Sequence, residues 1–219
     1  MDYKDWFNAS LTNSLNNPRA WKVDTQLAQL YEIPGFLTKD YCQFVMDNID
    51  KMLVPSEITF GDKNYRTSRT CYLSDVNPTL ANDLDKYISA LLGVSPEYAE
   101  DVQGQRYDQG QYFKEHHDWF DPDGEEYEEN CNVGGQRTWT VMVYLNTVEE
   151  GGETDFPLIG RGFTPVQGTA LAWNNLYEDG TPNIDVLHEA LPLLKGRKYI
   201  ITKWFRENPG RWLQSETIN

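Results

Sequence analysis

Val186-Leu-His188-Glu-Ala-Leu-Pro192-Leu-Leu-Lys195-Gly-Arg-Lys198-Tyr-Ile-Ile-Thr202-Lys-Trp204 reads as two strands, Leu187 to Pro192 and Tyr199 to Trp204, joined by a turn containing Gly196. On that reading His188 and Lys198 lie on neighbouring strands. Alternation along the second strand puts Lys198, Ile200, Thr202 and Trp204 on one face. A lysine turned into a β-rich interior is costly unless it meets an anion. The stretch therefore predicts a closed or sandwiched β structure whose interior receives a small acidic molecule.

The surrounding chain extends this pattern. From Gln103 onward, short runs of β-branched and aromatic residues alternate with Gly, Pro, Asn and Asp turns. Candidate strands are 111–118, 137–146, 162–167 and 169–174, with those of the quoted stretch centred on 185–189 and 197–206. Upstream the period is helical. Thr38 can cap a helix from Lys39 to Leu53, with Tyr41, Val45, Ile49 and Leu53 on one face. Asn77 and Pro78 open a second that Gly93 closes, with Leu80, Leu84, Ile88 and Leu91 as its stripe. The fold class expected is α+β: helices first, covering one face of a sheet, then a jelly-roll-like β part.

The chain has 219 residues, and 39% of them are hydrophobic, enough for one domain with a proper core. No apolar run is long enough to span a bilayer. The formal charge of −15 argues against nucleic acid or an anionic membrane as partner. Three cysteines, Cys42, Cys71 and Cys131, form no CxxC pair. With no apolar leader after Met1, they suggest free thiols in a reducing, cytoplasmic setting. Residues 1–30 are Asn-rich and read as an arm, 31–206 as the functional domain and 207–219 as a tail.

The histidines number three: His116, His117 and His188. In Tyr112-Phe-Lys-Glu-His116-His117-Asp118, an extended backbone turns His116 and Asp118 to one side and His117 to the other. A His-x-Asp pair alone is a weak motif. With His188 as a distant third ligand it becomes a two-histidine, one-carboxylate triad, which leaves cis positions open on an octahedral metal. A dicarboxylate chelating that metal would be the anion that Lys198 requires.

These stretches together resemble the prolyl 4-hydroxylase family of Fe(II)- and 2-oxoglutarate-dependent dioxygenases. The resemblance is carried by Tyr107-Asp-Gln-Gly110-Gln-Tyr-Phe113-Lys-Glu-His116-His-Asp118, Gly134-Gly-Gln-Arg137-Thr-Trp-Thr-Val-Met-Val-Tyr144-Leu-Asn146, Glu150-Gly151-Gly152-Glu-Thr154-Asp-Phe-Pro157, Pro165-Val-Gln-Gly168-Thr-Ala-Leu, and His188 through Trp204. They follow the family's order over about residues 32–206. The resemblance implies a double-stranded β-helix core with N-terminal helices packed on its major sheet. It implies hydroxylation of a prolyl residue in a peptide or protein, coupled to conversion of 2-oxoglutarate and O2 to succinate and CO2, with ascorbate as a reductant. It implies that His116, Asp118 and His188 bind Fe(II) as the catalytic centre. Lys198 would pair with the far carboxylate of 2-oxoglutarate, and Tyr107 and Thr154 would hydrogen-bond the same molecule. Thr202 lies on the Lys198 face within reach, and Tyr144 is a weaker member of the set. Arg137 and Trp204 would line the substrate side. One departure is visible: many collagen-type members carry a histidine two residues after the Trp204 position, and here Arg206 stands there.

Other readings stay open on the residues alone. One is a related oxygenase acting on another residue, a free amino acid or a small metabolite. Another is a metal-binding jelly roll without oxygenase chemistry, against which the interior Lys198 and Thr154 argue. The segment Trp119 to Gln136 holds six acids, Asp121, Asp123, Glu125, Glu126, Glu128 and Glu129, and no base. It is either a solvated loop or a lid recruiting a basic substrate.

Overall fold

The computed structural model describes residues 19–56 and 65–210. The rest of the expected arm and tail lies outside them. In chain order the strands and helices are β1 (Trp21–Lys22), β2 (Leu30–Ile33), α1 (Lys39–Ile49), β3 (Val54–Pro55), β4 (Arg69–Tyr72), α2 (Leu73–Val76), α3 (Pro78–Leu92), β5 (Gln103–Tyr107), β6 (Phe113–His116), α4 (Tyr127–Cys131), β7 (Arg137–Tyr144), β8 (Glu150–Gly151), β9 (Thr154–Phe156), β10 (Arg161–Phe163), β11 (Ala170–Asn174), β12 (His188–Ala190), β13 (Leu193–Lys195) and β14 (Lys198–Arg206). An eight-stranded major sheet runs β1-β2-β11-β7-β14-β5-β4-β3. A four-stranded minor sheet runs β10-β9-β12-β6, and β13 pairs with β8. The two larger sheets make the expected jelly-roll core. Among the described residues no helix is long and apolar enough to cross a membrane.

The helices form where capping and periodicity place them. Thr38 Oγ1 accepts from the Tyr41 amide at 3.3 Å, and Asn77 Oδ1 from the Leu80 amide at 3.2 Å. α3 ends at Gly93, whose φ of 72° suits the left-handed cap. α1 stops short of the expected Leu53, because Lys51 and Met52 turn back onto the carbonyls of Asn48 and Ile49 in a tight last turn.

Strand alternation splits the major sheet into two faces. Val141, Val143, Ile201 and Phe205 face outward and bury Val45 and Ile49 of α1 and Leu80, Leu84 and Ile88 of α3. Met142, Tyr144, Leu171, Trp173 and Ile200 face inward, toward Phe156 and Ala190 of the minor sheet. Fully burying one such side chain contributes about 1.5–3 kcal/mol. Lys203 is on the helix-covered face, where Asp85 of α3 pairs with its ammonium.

Several expectations need correction. His188 and Lys198 are not on neighbouring strands: β12 belongs to the minor sheet and β14 to the major one, with β13 between them in sequence. Pro192 and the short β13 redirect the chain, so the two residues face each other across the core. The N-terminal half is not simply helical, because β2 and β4 extend the major sheet on either side. The strand expected over 111–118 is limited to β6, and 162–167 to β10. Residues Ile184–Val186 form a 3-10 turn rather than the start of a strand. β5 had no apolar pattern to betray it. Its Gly104 is required by close approach, since a Cβ there would lie 2.6 Å from Ile49 of α1.

Candidate active site

Antiparallel pairing of β6 with β12 sets His116 directly opposite His188. Their ring centroids are 4.2 Å apart. Asp118 follows just past the end of β6 and is buried. One ligand atom from each of these three residues lies within 4.8 Å of the others. Among the described residues this is the one such group of histidine, cysteine and acidic side chains.

Backbone carbonyls fix both imidazoles. His116 Nδ1 lies 2.8 Å from the Lys114 oxygen, and His188 Nδ1 lies 3.0 Å from the Val186 oxygen. A carbonyl only accepts, so each Nδ1 carries a proton and Nε2 is the ring nitrogen left to face a metal. The Nε2 atoms stand 4.0 and 3.9 Å from the Asp118 carboxylate oxygens. Burial and the neighbouring His188 push the His116 pKa down to about 3, against the pull of Asp118, so the ring is neutral. Burial alone would raise the Asp118 pKa. The two imidazoles, Arg137 and the Thr140 hydroxyl outweigh it and hold the carboxyl below its ordinary value. His117 points elsewhere: its Nε2 meets the Ile184 carbonyl at 2.9 Å and its ring stacks on Trp119.

Across the core lies the second half of the site. Lys198 is 1% exposed, and its Nζ donates to the Gly152 carbonyl at 2.7 Å. The rings of Tyr107 and Tyr144 flank it at 5.1 and 5.7 Å. Burial pushes its pKa down to about 7, with only Glu153 acting the other way. Tyr107 donates to Gln105, whose amide reaches Thr202 Oγ1 at 3.2 Å. The Tyr144 hydroxyl lies 2.8 Å from Thr154 Oγ1 and 3.2 Å from the Phe163 carbonyl, which can only accept from it. Tyr107, Thr154, Lys198 and Thr202 line one cavity with His116, Asp118 and His188.

Arg137 and Trp204 stand at the cavity's outer rim. The Arg137 guanidinium lies 4.1 Å over the Trp204 ring and grips Glu100 with two bonds of 2.7 and 2.8 Å. Arg206 also reaches Glu100, at 2.6 Å. An open cleft of about 460 Å3 begins there, walled by Tyr65, Arg66, Phe113, Trp119, Arg137 and Trp204.

The residues present fit Fe(II) with a chelating dicarboxylate. The donor set is two imidazoles and one carboxylate with room around them. Among the described residues the ammonium that shares the cavity has no carboxylate partner, and the buried indole N–H groups of Trp173 and Trp204, which also line it, have no hydrogen-bond acceptor. Sequence reasoning missed Arg66, Gln105, Thr140 and Asn175. Gln103 and Gln105, both buried and spaced as one strand face, were a readable signal: polar residues at period two.

Residues 102–206 match the model described as the 2OG-Fe(II) oxygenase superfamily. The chain is 30% identical to Prolyl 4-hydroxylase 13 of Arabidopsis thaliana, over 82% of this chain and 71% of that protein. It is 34% identical to Prolyl 4-hydroxylase subunit alpha-3 of Rattus norvegicus, over 83% of this chain but only 34% of that longer protein. Among solved structures it is similar to a viral collagen prolyl hydroxylase from Paramecium Bursaria Chlorella virus-1 in its 2OG complex. That match has a TM-score of 0.62, 29% identity, and coverage of 81% of this chain and 95% of the other.

Proposed function

The chain belongs to the prolyl 4-hydroxylase family of Fe(II)- and 2-oxoglutarate-dependent dioxygenases, and from that premise we propose that it hydroxylates a prolyl residue of a peptide or protein. Residues 31–206 would be the dioxygenase domain. The observation that carries the reading is the pairing, across one cavity, of a two-histidine, one-carboxylate set with a buried lysine that has no carboxylate partner among the described residues.

Bound Fe(II) supplies the oxygen chemistry that couples 2-oxoglutarate decarboxylation to C–H hydroxylation. The chain supplies position and surroundings. His116 and His188 present their Nε2 atoms, and Asp118 offsets part of the metal charge. Lys198 pairs with the distal carboxylate of 2-oxoglutarate. Tyr107, Thr154 and Thr202 add hydrogen bonds around it, and Trp173, Phe156 and Ile200 exclude water. Arg137 and Trp204 shape the mouth through which the target prolyl ring enters. Ascorbate would serve as the reductant. The formal charge of −15 supports a partner other than nucleic acid or an anionic membrane. Three buried free cysteines support a reducing, cytoplasmic setting.

The test loads the chain anaerobically with Fe(II) and 2-oxoglutarate, admits oxygen, and applies mass spectrometry to a library of proline-containing peptides. Gain of one oxygen atom on proline, with matching succinate, is the expected result. Oxygen gained only on another residue or on a free amino acid would replace the substrate reading and leave the oxygenase reading standing.

A further inference from the structure

Behind Asp118 lies a hydrogen-bonded chain that the reading above does not use. Thr140 Oγ1 lies 2.7 Å from Asp118 Oδ2, and Asn175 Nδ2 lies 2.9 Å from the same hydroxyl oxygen. Asp118 is 5% exposed, and Thr140 and Asn175 are fully buried. The direction of both bonds follows from donor and acceptor inventories. An ionised carboxylate only accepts, and a hydroxyl has one proton. Thr140 therefore donates to Asp118 and accepts from the Asn175 amide nitrogen. The alternative placement of the Asn175 amide would set an acceptor against an acceptor.

The supports of this chain are rigid. Thr140 sits in the middle of β7, between β11 and β14. Asn175 follows the end of β11, where its amide donates to the Thr138 carbonyl at 2.7 Å and its carbonyl accepts from the Asn183 amide at 2.9 Å. Asn175 Oδ1 meanwhile has no hydrogen-bond donor among the described residues. A buried amide oxygen without a partner is a standing penalty. A side chain of similar size without that oxygen would avoid the penalty, and it would also lose the N–H aimed at Thr140.

We infer that Asn175 and Thr140 are positioning residues for the metal ligand Asp118, engaging its Oδ2 so that Oδ1 is the oxygen presented to the metal. Asp118 lies past the end of β6 and has no strand pairing of its own to orient it, so its rotamer depends on what holds the carboxylate. The inference rests on the reading of His116, Asp118 and His188 as a metal site. Groups that orient a metal ligand through hydrogen bonds typically change metal affinity by about 10–100-fold when removed.

The test titrates the full chain with Co(II) under argon and follows the visible bands of the bound ion, without turnover. The variants are Thr140→Val, Thr140→Ser, Asn175→Ala and His188→Ala, each with its thermal midpoint measured before metal is added. Thr140→Val and Asn175→Ala should bind Co(II) about 10–100-fold more weakly, with altered bands. Thr140→Ser should restore the wild-type affinity and spectrum. A merely structural role would lower the midpoint and leave the affinity of the folded protein unchanged, which would overturn the proposal. If Asn175→Ala does not fold, the Val and Ser variants at Thr140 decide the question alone. Co(II) binding lost in His188→Ala but unchanged in Thr140→Val overturns the relay and leaves the metal site standing. No Co(II) binding by the wild type overturns both.

Discussion

Lys198 donates its buried ammonium proton to the carbonyl of Gly152 at 2.7 Å, and Gly152 holds that carbonyl in place with a φ of 72°. A Cβ at Gly152 would come within 3.4 Å of Lys198 Cδ and 3.1 Å of Leu193 Cδ1. Left-handed backbone costs other residues about 1–2 kcal/mol. Gly152→Ala should therefore lower thermal stability and also raise the concentration of 2-oxoglutarate needed for half-maximal succinate formation. A stability loss with an unchanged 2-oxoglutarate requirement would sever the link between the turn and the lysine.

Removing the lysine itself is the sharper change. A buried carboxylate stripped of its charged partner typically costs about 3–5 kcal/mol. Lys198→Ala should raise the 2-oxoglutarate requirement by orders of magnitude, while Co(II) affinity stays near wild type because the imidazoles and Asp118 are across the cavity. The two readouts, a co-substrate titration and a metal titration, must move independently for the assignment to stand.

The pH dependence follows from the pKa of about 7 that burial imposes on Lys198. An unfolded lysine titrates near about 10.4. Between those values the unfolded chain holds one more proton than the folded one, so the unliganded protein gains stability as pH rises through that window. Bound dicarboxylate restores the charged form, so binding takes up a proton above about pH 7. Affinity for 2-oxoglutarate should then fall, by up to about tenfold per pH unit, as pH rises above about 7. Lys198→Arg, whose guanidinium stays charged, should flatten that slope. Calorimetry of the metal-loaded protein in buffers of different ionisation enthalpy measures the proton uptake, and none in the wild type would refute the account.

How much of this could be read in advance depended on chemistry that shows in residue types. β7, β11 and β14 carry β-branched and aromatic runs, and α1 and α3 carry caps and stripes, so they were legible. β5 was not, because a strand whose inner face lines a polar cavity carries Gln103 and Gln105 where a core strand would carry valines. His116, Asp118 and His188, proposed as the metal ligands, could be grouped by type and local spacing. Their placement could not, since Pro192 and the short β13 send Lys198 to the opposite sheet from His188. Thr140 read as one more β-branched strand residue, and its hydroxyl contact with Asp118 became visible only with the tertiary fold.

The segment between Asp118 and Arg137 gathers six acids beside the cleft. It is more anchored than an irregular lid would be. Gln136 and Phe120 exchange hydrogen bonds of 2.7 and 2.8 Å across its base. Arg206 donates to the carbonyls of Asn130 at 3.1 Å and Gly135 at 2.8 Å. The acidic turn leading into α4 is thus held against the barrel, and Glu126 borders the cleft. An acidic rim fixed in place can steer a basic peptide without having to close over it. Such steering weakens with salt, because the screening length is only ~8 Å at physiological ionic strength. Changing Glu125, Glu126, Glu128 and Glu129 to Gln should weaken binding of a basic proline-containing peptide and flatten its salt dependence. Turnover of 2-oxoglutarate without peptide should not change, since none of the four lines the cavity shared by His116, Asp118, His188 and Lys198. Equal peptide affinities and equal salt slopes in the two proteins would reduce the segment to a solvated surface. A loss of peptide binding at every salt concentration alike would instead point to a local contact at Glu126, which the single Glu126→Gln variant would then reproduce.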